Sequence, residues 1–444
     1  MKKTIIASLL IAAAGNIHAQ WECPSRLGAT LKPIENTNLM WSAEITSSAG
    51  FIKDNYAANT MGFLGLNYGT GKSSFYIEGG FKAWIRGTNK ELSFSDDAGE
   101  TVTHRSDRTN KFLPGLREAF YRYSGENNNL TLGLQSAKSD DSYLLNERIV
   151  GANYSYRANN LKFNVIGGSV MQEFARNGRF CTLGYLYNDI VVGRPRSYVG
   201  NGFGDTNMAM ATLSFTPQKK TDEFGSETGS SLLSLDKIGG VAYTEFGGKI
   251  THPVYAGGLY SEISLAGVTL KPEILVQASK GNNAVIYDFT AEKLFNWENA
   301  QTTRLYGRYV GYSAIDNGAR PVNSFSNLFM GDVLRQDVLD APAVMFGVKH
   351  SFTAIKTSVK IQGVMQTKAS ALGGDYGFVN DAYSSPLTKM KELDFGVSKN
   401  FGKSLLVNAM CGMLDYPTLE LTDLTLHYNH VQTMYGRLEL RFTF

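Results

Sequence analysis

The last eleven residues of the chain, MYGRLELRFTF, alternate without a slip. Met434, Gly436, Leu438, Leu440, Phe442 and Phe444 share one parity, and Tyr435, Arg437, Glu439, Arg441 and Thr443 share the other. Successive side chains of an extended chain point to opposite faces of the pleat, so this period of two predicts a strand with one apolar and one polar face. The period recurs along the chain. Phe75, Ile77, Gly79, Phe81, Ala83 and Ile85 oppose Glu78, Lys82 and Arg86; Val285, Tyr287, Phe289 and Ala291 oppose Asp288, Thr290 and Glu292; Val359, Ile361 and Met365 oppose Lys360, Gln362 and Gln366. Helical periodicity is hard to find. An apolar strand face is buried either in a protein core or in lipid, and the other end of the chain bears on which.

Residues 1–19, MKKTIIASLLIAAAGNIHA, combine Lys2 and Lys3 with an apolar run from Ile5 to Ala14 and a small Ala19. This is the pattern of a secretory signal peptide, too short in its apolar part to span a bilayer. Its removal takes two lysines from a formal net charge of +3, and nothing in so balanced a chain suggests nucleic acid. No stretch has the 18 or more consecutive apolar residues of a membrane helix. With Gly 46, Tyr 23 and Phe 25 against Pro 11, the chain has the composition of a glycine- and aromatic-rich β-protein. Cys23 follows bulky or charged residues where a lipobox needs small ones, so no lipid anchor is expected. Three cysteines, Cys23, Cys181 and Cys411, cannot all pair within the chain, and they read as packing residues or one incidental bridge.

The lengths of the connections separate a sandwich from a barrel. Tight links are expected at 69–72, 125–129, 352–355 and 401–403, and long ones at 87–110, 314–341, 369–390 and 415–430. Short turns at one end, long loops at the other and alternating segments of about ten residues are the signature of an outer-membrane barrel. The fold class expected is therefore all-β: a transmembrane antiparallel up-and-down barrel of about eighteen strands, sixteen to twenty being compatible, with periplasmic turns and extracellular loops. Counts from the two ends disagree between Lys237 and Glu292, and one strand within 254–279 is expected to be false. Three parts follow: 1–19 as export signal, 20–38 as a short periplasmic or lumen-entering segment, and 39–444 as the barrel. Because strand pattern starts by about Leu39, the plug domain of a TonB-dependent receptor is not expected.

LREAFYRYSGENNNLTLGLQ, followed by LLNERIVGANYSYRANNLKFNVIGG, resembles the hairpin signature of Gram-negative substrate-specific porins and alginate-export-type barrels. The Tyr-, Asn- and Gly-rich texture is similar to barrels of Bacteroidetes type. The terminal Phe442 and Phe444 resemble the signal that outer-membrane proteins show to the barrel-assembly machinery. The resemblance covers about a sixth of the chain. Where that group carries a Gly-Arg-Gln run, this chain has Gly133, Leu134 and Gln135, so the pore-facing arginine is missing and a substrate does not carry over. What the resemblance implies is an outer-membrane channel for small hydrophilic solutes, surrounded by lipid and lipopolysaccharide.

If the apolar parity faces lipid, the other parity lines the lumen. Candidate pore-lining residues are Lys82, Arg86, Arg157, Lys162, Arg304, Arg308, Lys349, Lys360, Arg437 and Arg441, against Glu78, Asp288, Glu292, Asp394 and Glu439. Basic groups predominate, which favours anions in an aqueous pore; the bland alternative is that the charges pair across strands. Arg304 and Arg308, like Arg437 and Arg441, are four apart, about 13 Å along a strand, so each pair forms part of a track. No enzyme is expected. His350 and Ser351 are adjacent and point to opposite faces, unlike the His and Ser of a barrel phospholipase, and the acidic pairs Asp96-Asp97 and Asp140-Asp141 read as solvated loop residues. No metal or cofactor is expected, since His427 and His430 lack a third ligand. A competing reading is a non-conducting barrel that acts as partner or scaffold of a surface lipoprotein or receptor complex; a homo-oligomer is compatible with either.

Overall fold

A computed structural model describes residues 31–52, 55–87, 91–95, 101–105, 112–139, 144–170, 206–217, 233–247, 252–280, 283–314, 331, 342–367, 391–422 and 425–444. Eighteen antiparallel strands form one sheet: β1 (Leu39–Ile52), β2 (Asn55–Thr70), β3 (Ser73–Gly87), β4 (Phe112–Ser124), β5 (Asn128–Lys138), β6 (Asn146–Ala158), β7 (Leu161–Val170), β8 (Asn207–Phe215), β9 (Leu233–Phe246), β10 (Val254–Leu265), β11 (Val268–Ala278), β12 (Ala284–Asn296), β13 (Thr302–Ala314), β14 (Ala343–Phe352), β15 (Thr357–Gln366), β16 (Lys391–Phe401), β17 (Leu405–Thr422) and β18 (Thr425–Thr443). Each strand pairs with its sequence neighbours, and β18 returns to β1 in the register Glu44↔Thr443 to Ile52↔Tyr435. The barrel is thereby closed. Closure satisfies every strand edge, which is what allows a sheet to stand in hydrocarbon, and eighteen strands are enough to enclose an aqueous channel.

Turns at one end match the sequence reading: 71–72, 125–127, 353–356 and 402–404 are all short. The β10–β11 turn places Ala266 and Gly267 at φ 49° and 74°, the doubly positive geometry of a two-residue hairpin. At the other end, 88–111 and 315–342 are long, and 88–111 contains a small hairpin of Glu91–Ser95 with Thr101–Arg105.

Two expectations fail. Both strands within 254–279 are real, because the connections 247–253 and 279–283 at the loop end are nearly as short as turns, while 216–232 at the turn end is long. Length alternation therefore loses its phase at the place where the counts disagree. The segment 415–430 is not a loop either: β17 and β18 continue through it, pairing from Asp415↔Gln432 to Thr422↔Thr425. Its polar residues imitate a loop, but unbroken ladder pairing satisfies their backbone.

The two faces are sorted as the alternation requires. On β18, Met434 is 62% and Leu438 47% exposed on the outside, against 1% for Tyr435 and 0% for Glu439 within. Phe75 and Ile77, Tyr287 and Phe289, and Phe346 and Val348 are likewise exposed outward. Where Gly133, Gly151 and Gly168 face one another across β5, β6 and β7, a Cβ on Gly151 or Gly168 would run into the neighbouring strand's backbone. Glycine lets the wall turn a corner there. Before the barrel, Lys32 and Pro33 pair with Trp41 and Met40, so the described end of the 20–38 segment folds back on β1; the rest of it, the 1–19 signal, Cys23 and Cys181 lie outside the described residues. Cys411 is a free, exposed cysteine on β17.

Candidate functional site

The inner faces of β13 to β18 form stacked cross-strand rows, each two residues, about 7 Å, from the next. Nearest the turns run Thr302, Ser351, Ser358, Ser398, Asn408 and Glu439; the next row is Arg304, Lys349, Lys360, Gly396, Met410 and Arg437; above it stand Tyr306, Gly347, Gln362, Asp394, Gly412 and Tyr435. Four basic residues far apart in sequence thus share one level of the wall. Arg304, Lys349 and Lys360 stand on three adjacent strands, roughly 5 Å from one strand to the next.

Several of these cations are held by carboxylates. Arg304 is ion-paired with Glu292, whose Oε1 also accepts from Lys271 Nζ at 2.8 Å. Arg308 grips Asp288 with both ends of its fork, Nε lying 2.9 Å from Oδ1 and the second nitrogen on Oδ2. Glu439 receives Arg437 at 3.0 Å and Arg441 at 3.2 Å, and Asn408 donates to it at 3.2 Å. Arg441 also lies 3.7 Å from Glu44. The arginines of both four-residue pairs, Arg304 with Arg308 and Arg437 with Arg441, are thus tied to acids on the same wall. Lys349 is buried and Lys360 half-buried, and together with Ser358, Ser398 and Asn408 they border a small cavity beside Gly396.

The row above the basic one is a hydrogen-bonded belt. Tyr306 donates to Gln362 Oε1 at 2.8 Å, Gln362 Nε2 donates to Asp394 Oδ2 at 2.8 Å, and Tyr435 donates to Asp394 Oδ1. Both tyrosines reach their partners by lying over a glycine. The Tyr306 ring fills the space of a Cβ on Gly347, and the Tyr435 ring that of a Cβ on Gly412. Nearer the loops the lumen wall becomes apolar: Met345, Val364 and Leu414 follow in the row of Arg308 and Glu392, and Val310, Ile286, Leu275 and Met210 are buried farther toward the loop ends of their strands. Gly331, from the long 315–342 connection, packs against the Glu392 carboxylate. The lumen is therefore not polar from end to end, as the alternation had implied.

A second charged group lies on β3 to β6. Pairing shifts between Glu78↔Glu118 and Gly79↔Leu116, so Arg117 is the extra residue of a β-bulge. The bulge turns two consecutive side chains inward. Arg117 is ion-paired with Glu78 and lies 4.7 Å over the Phe63 ring; Tyr76 donates to Glu78 at 2.6 Å; Arg148 approaches Glu118 at 3.8 Å. Glu78, Arg117 and Glu118 are fully buried. Sequence reading found Glu78 and missed Arg117, Glu118 and Arg148. The signal was Arg117-Glu118 itself, two charges in succession where alternation allows one.

Arg157 is exposed at the turn end of β6, and Lys162 faces it across the β6–β7 pair. Lys82 and Arg86 belong to β3, but their side chains lie outside the described residues, as do those of His427 and His430. Asp96, Asp97, Asp140 and Asp141 are also outside. His350 turns outward to Thr303 at 2.8 Å while Ser351 lines the lumen, so they form no catalytic pair. Among the described residues no group of three or more His, Cys, Asp or Glu is placed to hold a metal ion.

No protein-family model matches the sequence, and no curated protein is significantly similar to it. Solved structures do match. Pseudomonas aeruginosa OccD3 (OpdP) aligns over 94% of this chain and 94% of its own, at 10% identity and a TM-score of 0.52. Acinetobacter baumannii OccAB4 aligns over 93% and 100%, at 10% identity and 0.53. The fold is that of the outer-membrane porins. Pseudomonas aeruginosa OpdK, in a crystal structure with vanillate, aligns over 91% and 98%, at 11% identity and 0.51. The chain thus has the closed all-β transmembrane-type barrel that these Gram-negative outer-membrane porins share, with its apolar side chains facing outward.

Proposed function

We propose that the protein is a porin for passive diffusion of small hydrophilic solutes, with a preference for anions set by the basic row of β13 to β18. The observation that carries the reading is Arg304, Lys349 and Lys360 side by side. Cross-strand neighbours on one face lie close enough to act together, so three cationic side chains at adjacent positions of one row sum to a local positive potential facing the lumen. A fixed positive belt in a narrow channel raises the local concentration of anions and delays cations. The crystal structure of OpdK with vanillate offers a precedent on the same fold for an organic anion held by such a barrel.

Each residue has its part in this reading. Lys349 and Lys360 meet the solute, Arg304 and Arg437 extend the positive potential sideways, and Glu292 and Glu439 orient those arginines. The serines and asparagine of the lowest row replace water around a solute leaving toward the periplasm. Phe442 and Phe444, exposed on the outer face, serve as the label read during barrel assembly.

The test is the reversal potential of the purified protein in a planar bilayer under a potassium chloride gradient. Anion preference is expected, and Lys349→Gln with Lys360→Gln should move the reversal potential toward the cation side. Cation preference in the unmodified protein overturns the selectivity. The buried apolar wall near the loops favours a second reading, a barrel closed to solutes that serves a surface partner. Correctly folded protein without conductance would select that reading instead.

A further inference from the structure

We infer that the outer wall carries a glycerophospholipid site, an acyl-chain groove over β12 to β16 with Lys293 as its phosphate ligand. The lipid-facing surface is not uniformly rough. Phe346 projects from β14 between Gly307 on one neighbouring strand and Gly363 on the other, and the missing side chains leave a depression beside it. The result is a groove of about 470 Å³ walled by Leu305, Phe346, Val348, Ile361 and Leu393. At its turn-side end stands Lys293, opposite Leu305 and on the outward parity of Tyr287 and Phe289.

A cation on the lipid face is unfavourable unless it reaches the headgroups. The neighbouring aromatics mark that level. Lys293 Nζ lies 5.4 Å over the ring of Phe295, which stacks on Trp297 at 6.3 Å; the Trp297 indole in turn donates to Thr303 at 2.7 Å. Such an aromatic girdle stands at the membrane–water interface, here that of the periplasmic leaflet, with Lys293 three residues, about 10 Å, inside the end of its strand. The acid that borders the groove, Glu292, turns its carboxylate into the lumen toward Arg304 and Lys271. Charge complementarity therefore selects an anionic headgroup above an apolar slot, and a glycerophospholipid supplies both parts. The site is independent of whether the lumen conducts.

Native mass spectrometry of the detergent-purified protein, titrated with phosphatidylglycerol or phosphatidylcholine of the same chains, tests the assignment. Expected are retained phosphatidylglycerol in preference to phosphatidylcholine, and retention about fivefold weaker in Lys293→Gln, the share of one basic residue at a lipid surface. Gly363→Leu should lower retention of both lipids by filling the slot; a Cβ at Gly363 has its nearest neighbour at 3.8 Å, so the variant should keep its heat-modifiable fold. Equal retention of both lipids by all three proteins overturns the site. A second copy of the chain in the groove, shown by a dimer that Gly363→Leu disperses while lipid retention stays unchanged, overturns it equally.

Discussion

The phenol of Tyr76 links two features of the wall, the inward glycine of the adjacent strand and the buried Glu78–Arg117 pair, and this makes Gly65→Ala a sharp test of the packing. An ideal Cβ on Gly65 would lie 2.5 Å from the Tyr76 hydroxyl and 2.7 Å from the Ser42 hydroxyl, with the Tyr76 ring carbon next at 3.1 Å. Real Cβ atoms do not approach other atoms so closely. Ser42 has only to rotate, whereas the phenol must withdraw and lose its 2.6 Å hydrogen bond to Glu78. A hydrogen bond to a buried charged group contributes about 1.5–3 kcal/mol, so Gly65→Ala should cost about 2 kcal/mol. In a Tyr76→Phe background both the colliding oxygen and the hydrogen bond are already gone, and the same substitution should cost a few tenths of a kcal/mol, a coupling of roughly 1.5–2 kcal/mol. The assay is urea unfolding of the four proteins refolded into lipid vesicles, followed by tryptophan fluorescence. An equal cost for Gly65→Ala in both backgrounds would refute the argument, because the glycine would then be needed by the backbone and not by the phenol.

Arg308→Ala should lower stability by about 3 kcal/mol, since it strips the bidentate partner from nearly buried Asp288, and it should move the reversal potential less than Lys349→Gln with Lys360→Gln; a large selectivity change without loss of stability would contradict the pairing. Leu438→Arg, on the lipid face of β18, should cost about 2–4 kcal/mol if it lies near the bilayer midplane, measured as a shift of the urea midpoint, and an unchanged midpoint would argue against lipid contact there. In a protein carrying Cys23→Ser and Cys181→Ser, a fluorophore on exposed Cys411 should be quenched by brominated lipid, whereas one on Met410→Cys, made with Cys411→Ser as well, should not; equal quenching at both sites would contradict the facing of β17.

How much of this was legible in the sequence depended on whether a feature was periodic. The facing of nearly every strand followed from the two-residue alternation, because a pleat has two sides and lipid tolerates charge on neither the wall nor its edges. Glu78, Asp394, Arg437 and Glu439 were assigned to the polar parity on that ground, and the structure buries all four; closure into a barrel followed from the same need. The places where the reading failed are those where period two is locally suspended. The bulge at Arg117 turned an outward position inward, the short connections 247–253 and 279–283 removed the contrast between turns and loops, and the polar 415–430 stretch proved to be paired strand.

Amino-acid order by itself determined that the chain forms an alternating, glycine-rich, closed sheet, since each strand's two faces are written in its own ten or so residues. Which lumen residues meet was decided only by the register. Arg304, Lys349, Lys360 and Arg437 span more than a hundred residues of sequence and share one row because each hairpin fixes the next strand's offset. The same register sets Tyr306 over Gly347 and Tyr435 over Gly412, and it ties Arg304 to Glu292 and Arg308 to Asp288. Such pairings depend on offsets of a single residue accumulated over five strand pairings, and no local pattern carries that sum.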